Sequence, residues 1–229
     1  LKDIIVWAIH APAGTLALIT SVVAMCAKKG SVLHKKAGTY FIASMMVMLV
    51  SGITTGYLKS SIDDMVLGTI VLYTLFTAWL TVHHKKNETG VLEVIALVWV
   101  VGFAITAFSI SMGGLEADVS PLAYLIWGCF AIFCALGDIR NLYQCGFSGT
   151  QRIIRHVWRI GFSILWAALA FTDKIVKMMG ANLKSMQEEQ LLFIVAIPTT
   201  LILITILYWV TQILFFSREK FARYGEQTG

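Results

Sequence analysis

Charged side chains are scarce in this chain. Asp, Glu, Lys and Arg make up 14% of its 229 residues, against roughly 25% in soluble domains, so a large solvated surface is excluded. Proline is scarcer still, with 3 residues, and no Pro/Gly-rich linker, low-complexity tract or internal repeat divides the sequence. One domain over residues 1–229 is the expectation. The four cysteines, Cys26, Cys129, Cys134 and Cys145, make no CxxC pair, which excludes thioredoxin-like and zinc-ribbon chemistry and leaves free thiols as the expectation. Walker loops, serine nucleophile elbows and HExxH motifs are missing as well.

Apolar residues fill the space that charge leaves: 58% of the chain is hydrophobic. They fall into seven runs, over residues 4–26, 39–58, 65–82, 91–111, 121–137, 156–172 and 191–216. A helix needs about 20 apolar residues to cross roughly 30 Å of hydrocarbon. Hydrocarbon cannot satisfy unpaired backbone amides, and a closed barrel would show alternating ten-residue segments instead. The expected fold is therefore all-α, a polytopic membrane bundle of seven transmembrane helices.

The connecting segments set an orientation. Lys28, Lys29, Lys35, Lys36, Lys85, Lys86, Arg140, Arg152, Arg155, Arg159, Arg218, Lys220 and Arg223 fall on one side, and only Lys2, Lys59, Lys174, Lys177 and Lys184 on the other. By the positive-inside rule the N-terminus is outside and the C-terminus cytoplasmic. The same partition accounts for the net charge of +5 through membrane lipids as partners, with no call for nucleic acid. The first run is long and ends in Lys28-Lys29 rather than a small-residue cleavage site, so no signal peptide is expected. Residues 173–190 mix Ile175, Val176, Met178 and Met179 with lysines, as an amphipathic helix on the outer surface would.

Helix association in lipid depends on small residues and polar contacts. The first run carries His10, Gly14, Ala17, Ser21 and Ala24 on one seam, the second the GxxxG pair Gly52 and Gly56, and the sixth Ser163, Ala167 and Ala170 on the face of His156. Pro12 and Pro198 sit inside runs, where kinking for packing is the reading. Thr74, Thr77, Thr81 and His84 recur at spacings of three and four, a stripe expected to face the interior.

The remaining polar residues concentrate at the inner ends of the runs: His34, His83, His84, His156, Glu93, Asp138, Arg140, Arg152, Arg155 and Arg159. Imidazoles on separate helices at one depth suit a b-type haem, whose axial positions need neutral nitrogens and whose propionates need cations. His84 and His156 would supply the axial pair, with His34 as substitute, and Arg155 and Arg159 would meet the propionates. The same groups suit a quinone or an anionic headgroup. A divalent metal held by three imidazoles and a carboxylate is a third option. Arg140 paired with Asp138 would merely neutralise a buried carboxylate, the dipole explains Glu93 in the first turn of its helix, and His10 reads as an interhelical hydrogen-bonding residue. Redox chemistry at the inner end is the leading reading. A small-solute or ion carrier using the threonine stripe and Pro198, Thr199 and Thr200 is its rival, and a structural or lipid-interacting protein without a site is the third. Retinal chemistry is excluded, because the last run lacks a Schiff-base lysine. The five histidines are also too few for a membrane di-iron hydroxylase.

Four stretches, HAPAGTLAL from His10, KKGSVLHKKAGTYF from Lys28, YTLFTAWLTV from Tyr73, and GDIRNL from Gly137 followed by RIIRHVWRIGFSILWA from Arg152, resemble a family of bacterial inner-membrane proteins that carries a domain-of-unknown-function label. The family pattern of H-x3-G, a histidine before a basic residue, and R-H-x-W-R-M corresponds to His10 with Gly14, His34 with Lys35, and Arg155, His156, Trp158 and Arg159. Ile160 replaces the family methionine, which removes a thioether ligand. The resemblance implies a polytopic protein of the bacterial inner membrane, brings no activity, and places His10, His34 and His156 in motif positions.

Overall fold

Every regular element among the described residues is helical. The computed structural model describes residues 4–84, 88–114, 119–183 and 188–216, with side chains after Thr172 described in part. Seven helices follow in order: α1 (Ile5–Cys26), α2 (Val32–Leu58), α3 (Ile62–His83), α4 (Val91–Ser111), α5 (Pro121–Tyr143), α6 (Gly149–Leu183) and α7 (Glu188–Thr211). α1 opens on a π-helical turn and α7 runs into one. α1 to α5, and Gly149–Thr172 of α6, are long and apolar enough to cross a membrane; the apolar stretch Thr199–Phe215 is shorter. Lys2, Lys85, Lys86, Glu116, Asp118, Lys184, Arg218, Lys220 and Arg223 lie outside the described residues, as do the side chains of Lys174, Lys177 and Pro198.

Helix starts follow from local chemistry. Ser31 accepts from the His34 amide at 3.2 Å to begin α2, and Ser61 accepts from the Asp64 amide at 3.3 Å to begin α3. Asp63 and Asp64 sit in the first turn of α3, where the helix dipole favours them, and Pro121 opens α5 where its missing N–H costs nothing. α5 ends as Gly146, at φ 107°, returns its amide to Asn141 O at 2.8 Å.

Three helices exceed their apolar runs by more than a turn: α2 starts at Val32, seven residues before residue 39, and α5 and α6 are longer too. α5 continues past residue 137 to Tyr143, and α6 starts at Gly149, a full two turns before residue 156. In the extensions of α5 and α6, Asp138 and Arg155 pair inside the bundle, while Arg140 is exposed. The backbone over residues 173–183 continues α6 as one helix, where a separate surface helix was expected.

The packing has a plain order. α1 touches α2 and α6, and α3 touches α2 and α6, so these four close a ring; α7 packs on α6, while α4 joins α3 and carries α5. Small residues permit these approaches. A Cβ on Gly52 would meet the His10 ring at 3.1 Å, on Gly128 the Phe108 ring at 2.8 Å, and on Gly161 the Ile206 side chain at 2.6 Å. α5 and α6 instead meet through large rings: Phe130 stacks on Phe162 at 4.5 Å, and Trp127 lies 4.8 Å from Trp166. Apolar side chains such as Val98, Ile105, Phe133 and Leu207 are exposed around the outside, where a soluble protein would place polar ones. The bundle is that of a multi-pass membrane protein.

Candidate functional site

The threonine stripe of α3 does face inward: Thr74 and Thr77 are fully buried. It continues one turn back to Tyr73, also fully buried and midway along α3. The Tyr73 hydroxyl donates to Asp138 Oδ2 on α5 at 2.5 Å. Asp138 Oδ1 accepts from Arg155 Nη2 at 2.8 Å and from Arg159 Nη2 at 2.6 Å, both from α6. Carboxylate, phenol and both guanidiniums are buried. Arg155 Nε reaches Thr81 Oγ1 at 3.1 Å, and Thr74 Oγ meets Ser163 Oγ at 3.3 Å, so the cluster ties α3, α5 and α6 together.

Sequence and helix geometry make this constellation. Arg152, Arg155 and Arg159 fall at spacings of three and four, one face of α6, and Ser163 continues it. Asp138 and Arg140 are two apart on α5, roughly 200° around the helix, so they cannot share a partner. Arg140 is accordingly exposed, and the expected Asp138–Arg140 pair is replaced by Asp138 with Arg155 and Arg159.

The three buried arginines are neutralised differently. Arg152 caps α3: its Nε donates to Thr81 O at 2.7 Å, and its Nη2 to Val82 O at 3.2 Å and His84 O at 2.5 Å. It thus meets the negative end of the helix dipole. Arg155 and Arg159 have only Asp138 between them. Two positive charges share one negative charge, and Arg159 Nε and Nη1 are buried without an acceptor among the described residues. The Tyr73 and Trp158 rings lie 5.3 and 5.0 Å from the Arg159 guanidinium carbon. Such cation–π contacts return about 0.5–2 kcal/mol each, well short of the several kcal/mol that burying an unpaired ion costs.

A small polar cavity of about 20 Å³ opens beside Arg155, lined among others by Thr81, His84, Glu88, Glu93, Asn141 and Arg152. That is space for about one water, far below the roughly 300–1,000 Å³ of drug-sized sites. Glu93 is buried in its wall, accepting from the Gly90 amide at 2.8 Å and pairing with His84 Nδ1 at 2.8 Å.

The histidines have separate partners. His10 Nδ1 donates to Met48 O at 2.9 Å, linking α1 to α2. His34 Nδ1 donates to Ala24 O at 3.0 Å, and Lys29 Nζ caps the same helix end at Ala24 O and Met25 O, at 3.1 and 2.6 Å. Burial pushes the Lys29 ammonium below the ordinary lysine range, while the charge of nearby Cys26 acts in the opposite sense. His156 Nδ1 donates to Ala78 O at 3.3 Å. His34 and His156 lie within electrostatic reach of each other, whereas His84 is turned to Glu93 on α4. His83 stacks on Trp79 at 4.6 Å. Among the described residues no three His, Cys, Asp or Glu side chains gather as a metal site would require. Arg155 and Arg159, expected at haem propionates, are engaged by Asp138.

Neither a protein-family model, a curated protein nor a solved structure matches this chain.

Proposed function

We propose that this is a carrier of small anions in the bacterial inner membrane, a single domain of seven crossings with its N-terminus outside and its C-terminus in the cytoplasm. The cation excess on one set of loops supports the orientation, and the resemblance to a bacterial inner-membrane family supports the location. One observation carries the activity: Arg155 and Arg159 share a single carboxylate oxygen in the interior of the bundle, leaving one positive charge and two Arg159 nitrogens uncompensated. Ionisable residues held inside a membrane bundle mark ion and substrate pathways, and an anion is the group that would complete this one. The cavity that Arg155 lines, with room for about one water, lies on the proposed cytoplasmic side, from which an anion would approach. In reconstituted vesicles, uptake of radiolabelled nitrate, acetate and phosphate should include at least one transported anion, and Arg159→Gln should reduce that flux at least tenfold. Equal flux in vesicles with and without protein, for every anion, would remove the reading.

A second reading, a b-type haem in electron transfer, keeps one supporting feature. His34 and His156 both donate Nδ1–H to backbone carbonyls, which leaves each Nε2 as a lone-pair donor with no partner among the described residues, the tautomer that metal-bound imidazoles adopt. Visible spectra of protein purified from haem-supplemented cells, oxidised and dithionite-reduced, decide it: a stoichiometric Soret band lost in His156→Ala supports haem, and a featureless spectrum excludes it.

A further inference from the structure

The charge count around Asp138 determines which anions the cluster can hold. Asp138 is faced by Tyr73 from α3, by Arg155 and Arg159 from α6, and on its own helix by Cys134 one turn away. α4 contributes only Glu93, already committed to His84 and Gly90, and Arg152 lies against the end of α3 through Nε and Nη2, with its Nη1 buried without an acceptor among the described residues. The residual charge of the interior cluster is therefore that of two guanidiniums and one carboxylate, a single positive charge.

We propose that the Arg155–Arg159–Asp138 cluster selects monovalent anions, with Asp138 as the fixed counter-charge that sets this valence. The inference rests on the anion-carrier reading and adds the substrate class. One negative charge beside Arg159 brings the buried cluster to neutrality. A dianion such as sulfate overshoots it, placing net negative charge beside Asp138 where little water can screen it. Asp138 then acts as a repulsive element against the wrong substrate. Tyr73 serves this role by holding Oδ2, which keeps Oδ1 on the two guanidiniums and fixes the carboxylate in place. Arg159 offers the uncommitted N–H groups, Nε and Nη1, on either side of the nitrogen that holds Asp138.

The test is calorimetric titration of the full chain in detergent at pH 7 with sodium nitrate, sodium acetate and sodium sulfate at matched ionic strength. Nitrate or acetate should bind at least tenfold more tightly than sulfate. Asp138→Asn raises the cluster charge by one, and should move the sulfate-to-monovalent ratio at least tenfold toward sulfate. Arg155→Gln leaves the free Arg159 N–H groups but neutralises the cluster, and should weaken monovalent binding at least tenfold. Wild-type sulfate affinity equal to or above that of both monovalent anions overturns the valence rule, whether or not either variant folds. An unchanged ratio in folded Asp138→Asn, or undiminished binding in folded Arg155→Gln, overturns it too. If none of the three anions binds the wild type, the carrier reading fails along with it; sulfate binding alone leaves an anion site and removes only the selectivity.

Discussion

At the residue scale the dominant fact is a carboxylate that serves two guanidiniums. Removing it should be costly out of proportion to its size. Asp138→Ala leaves two buried cations facing each other without compensation, and should destabilise the protein by about 3–5 kcal/mol, read as a fall in thermal midpoint in mild detergent. Replacing all three charges together, Asp138→Leu with Arg155→Met and Arg159→Met, should recover most of that stability, because no desolvated ion remains. Recovery of stability with loss of anion flux would separate the functional role of the cluster from its structural one. If the triple variant were less stable than Asp138→Ala, the uncompensated-charge account would be wrong. Arg152 behaves differently, since its three acceptors are main-chain carbonyls at the end of α3. Arg152→Met should cost about 2–3 kcal/mol, the loss of hydrogen bonds made by a charged donor. Hydrogen exchange should show that loss as fraying of the last turn of α3.

At the element scale, packing rests on glycines whose missing side chains are filled by a neighbour. Gly128→Ala would drive a methyl into the Phe108 ring, and Gly161→Ala one into Ile206, at 2.8 and 2.6 Å. Each should destabilise by about 1–3 kcal/mol through overpacking. Gly102 has nothing within 4 Å of its missing Cβ, so Gly102→Ala should gain up to about 1 kcal/mol from helix propensity. Equal effects at all three positions would mean that propensity, and not interhelical contact, governs them. The elements themselves were legible in the sequence because apolar length is a direct consequence of bilayer thickness. α4 runs over Val91–Ser111, the same residues as its apolar run. What hydropathy hid was the extent of α5 and α6, since a window that seeks apolar residues stops at Asp138 and at Arg155. Those residues are helical and buried because they neutralise each other, a pairwise fact that no single-helix pattern contains. Tyr73 was missed as a site residue for a similar reason: an aromatic in an apolar run reads as core until its partner on another helix is known. The spacing of Tyr73, Thr77 and Thr81, four residues apart each time, was the available signal. His84 and His156 were expected to meet, and their helices α3 and α6 are neighbours, but sequence does not show which way a side chain at a helix end turns. His84 instead found Glu93 across the α3–α4 turn.

At the scale of the whole molecule, the ring of α1, α2, α3 and α6 and the appended pair α4 and α5 share one polarised layout. Arg152, the His84–Glu93 pair, His34 and Lys29 cluster where α1 and α3 end and α2, α4 and α6 begin. His10 lies toward the opposite end, on α1 some 14 residues before Ala24, the partner of His34, or about 21 Å at 1.5 Å per residue. The proposed orientation places the arginine-rich end in the cytoplasm, and the native thiols provide the means to test it. Cys26 closes α1 and Cys145 follows α5, both exposed and both at that end; Cys129 is exposed from the middle of α5. Cys134 is buried. A membrane-impermeant maleimide applied to spheroplasts should therefore leave the protein unlabelled, while inside-out vesicles should take up label at Cys26 and Cys145. Cys129 should stay unreacted in both, because an exposed side chain at mid-helix faces hydrocarbon, where a charged reagent does not enter. Peptide mapping assigns each adduct. Label at Cys26 or Cys145 from the spheroplast side would invert the topology, and the approach to Arg155 would then open to the outside, reversing the side from which an anion first meets the cluster.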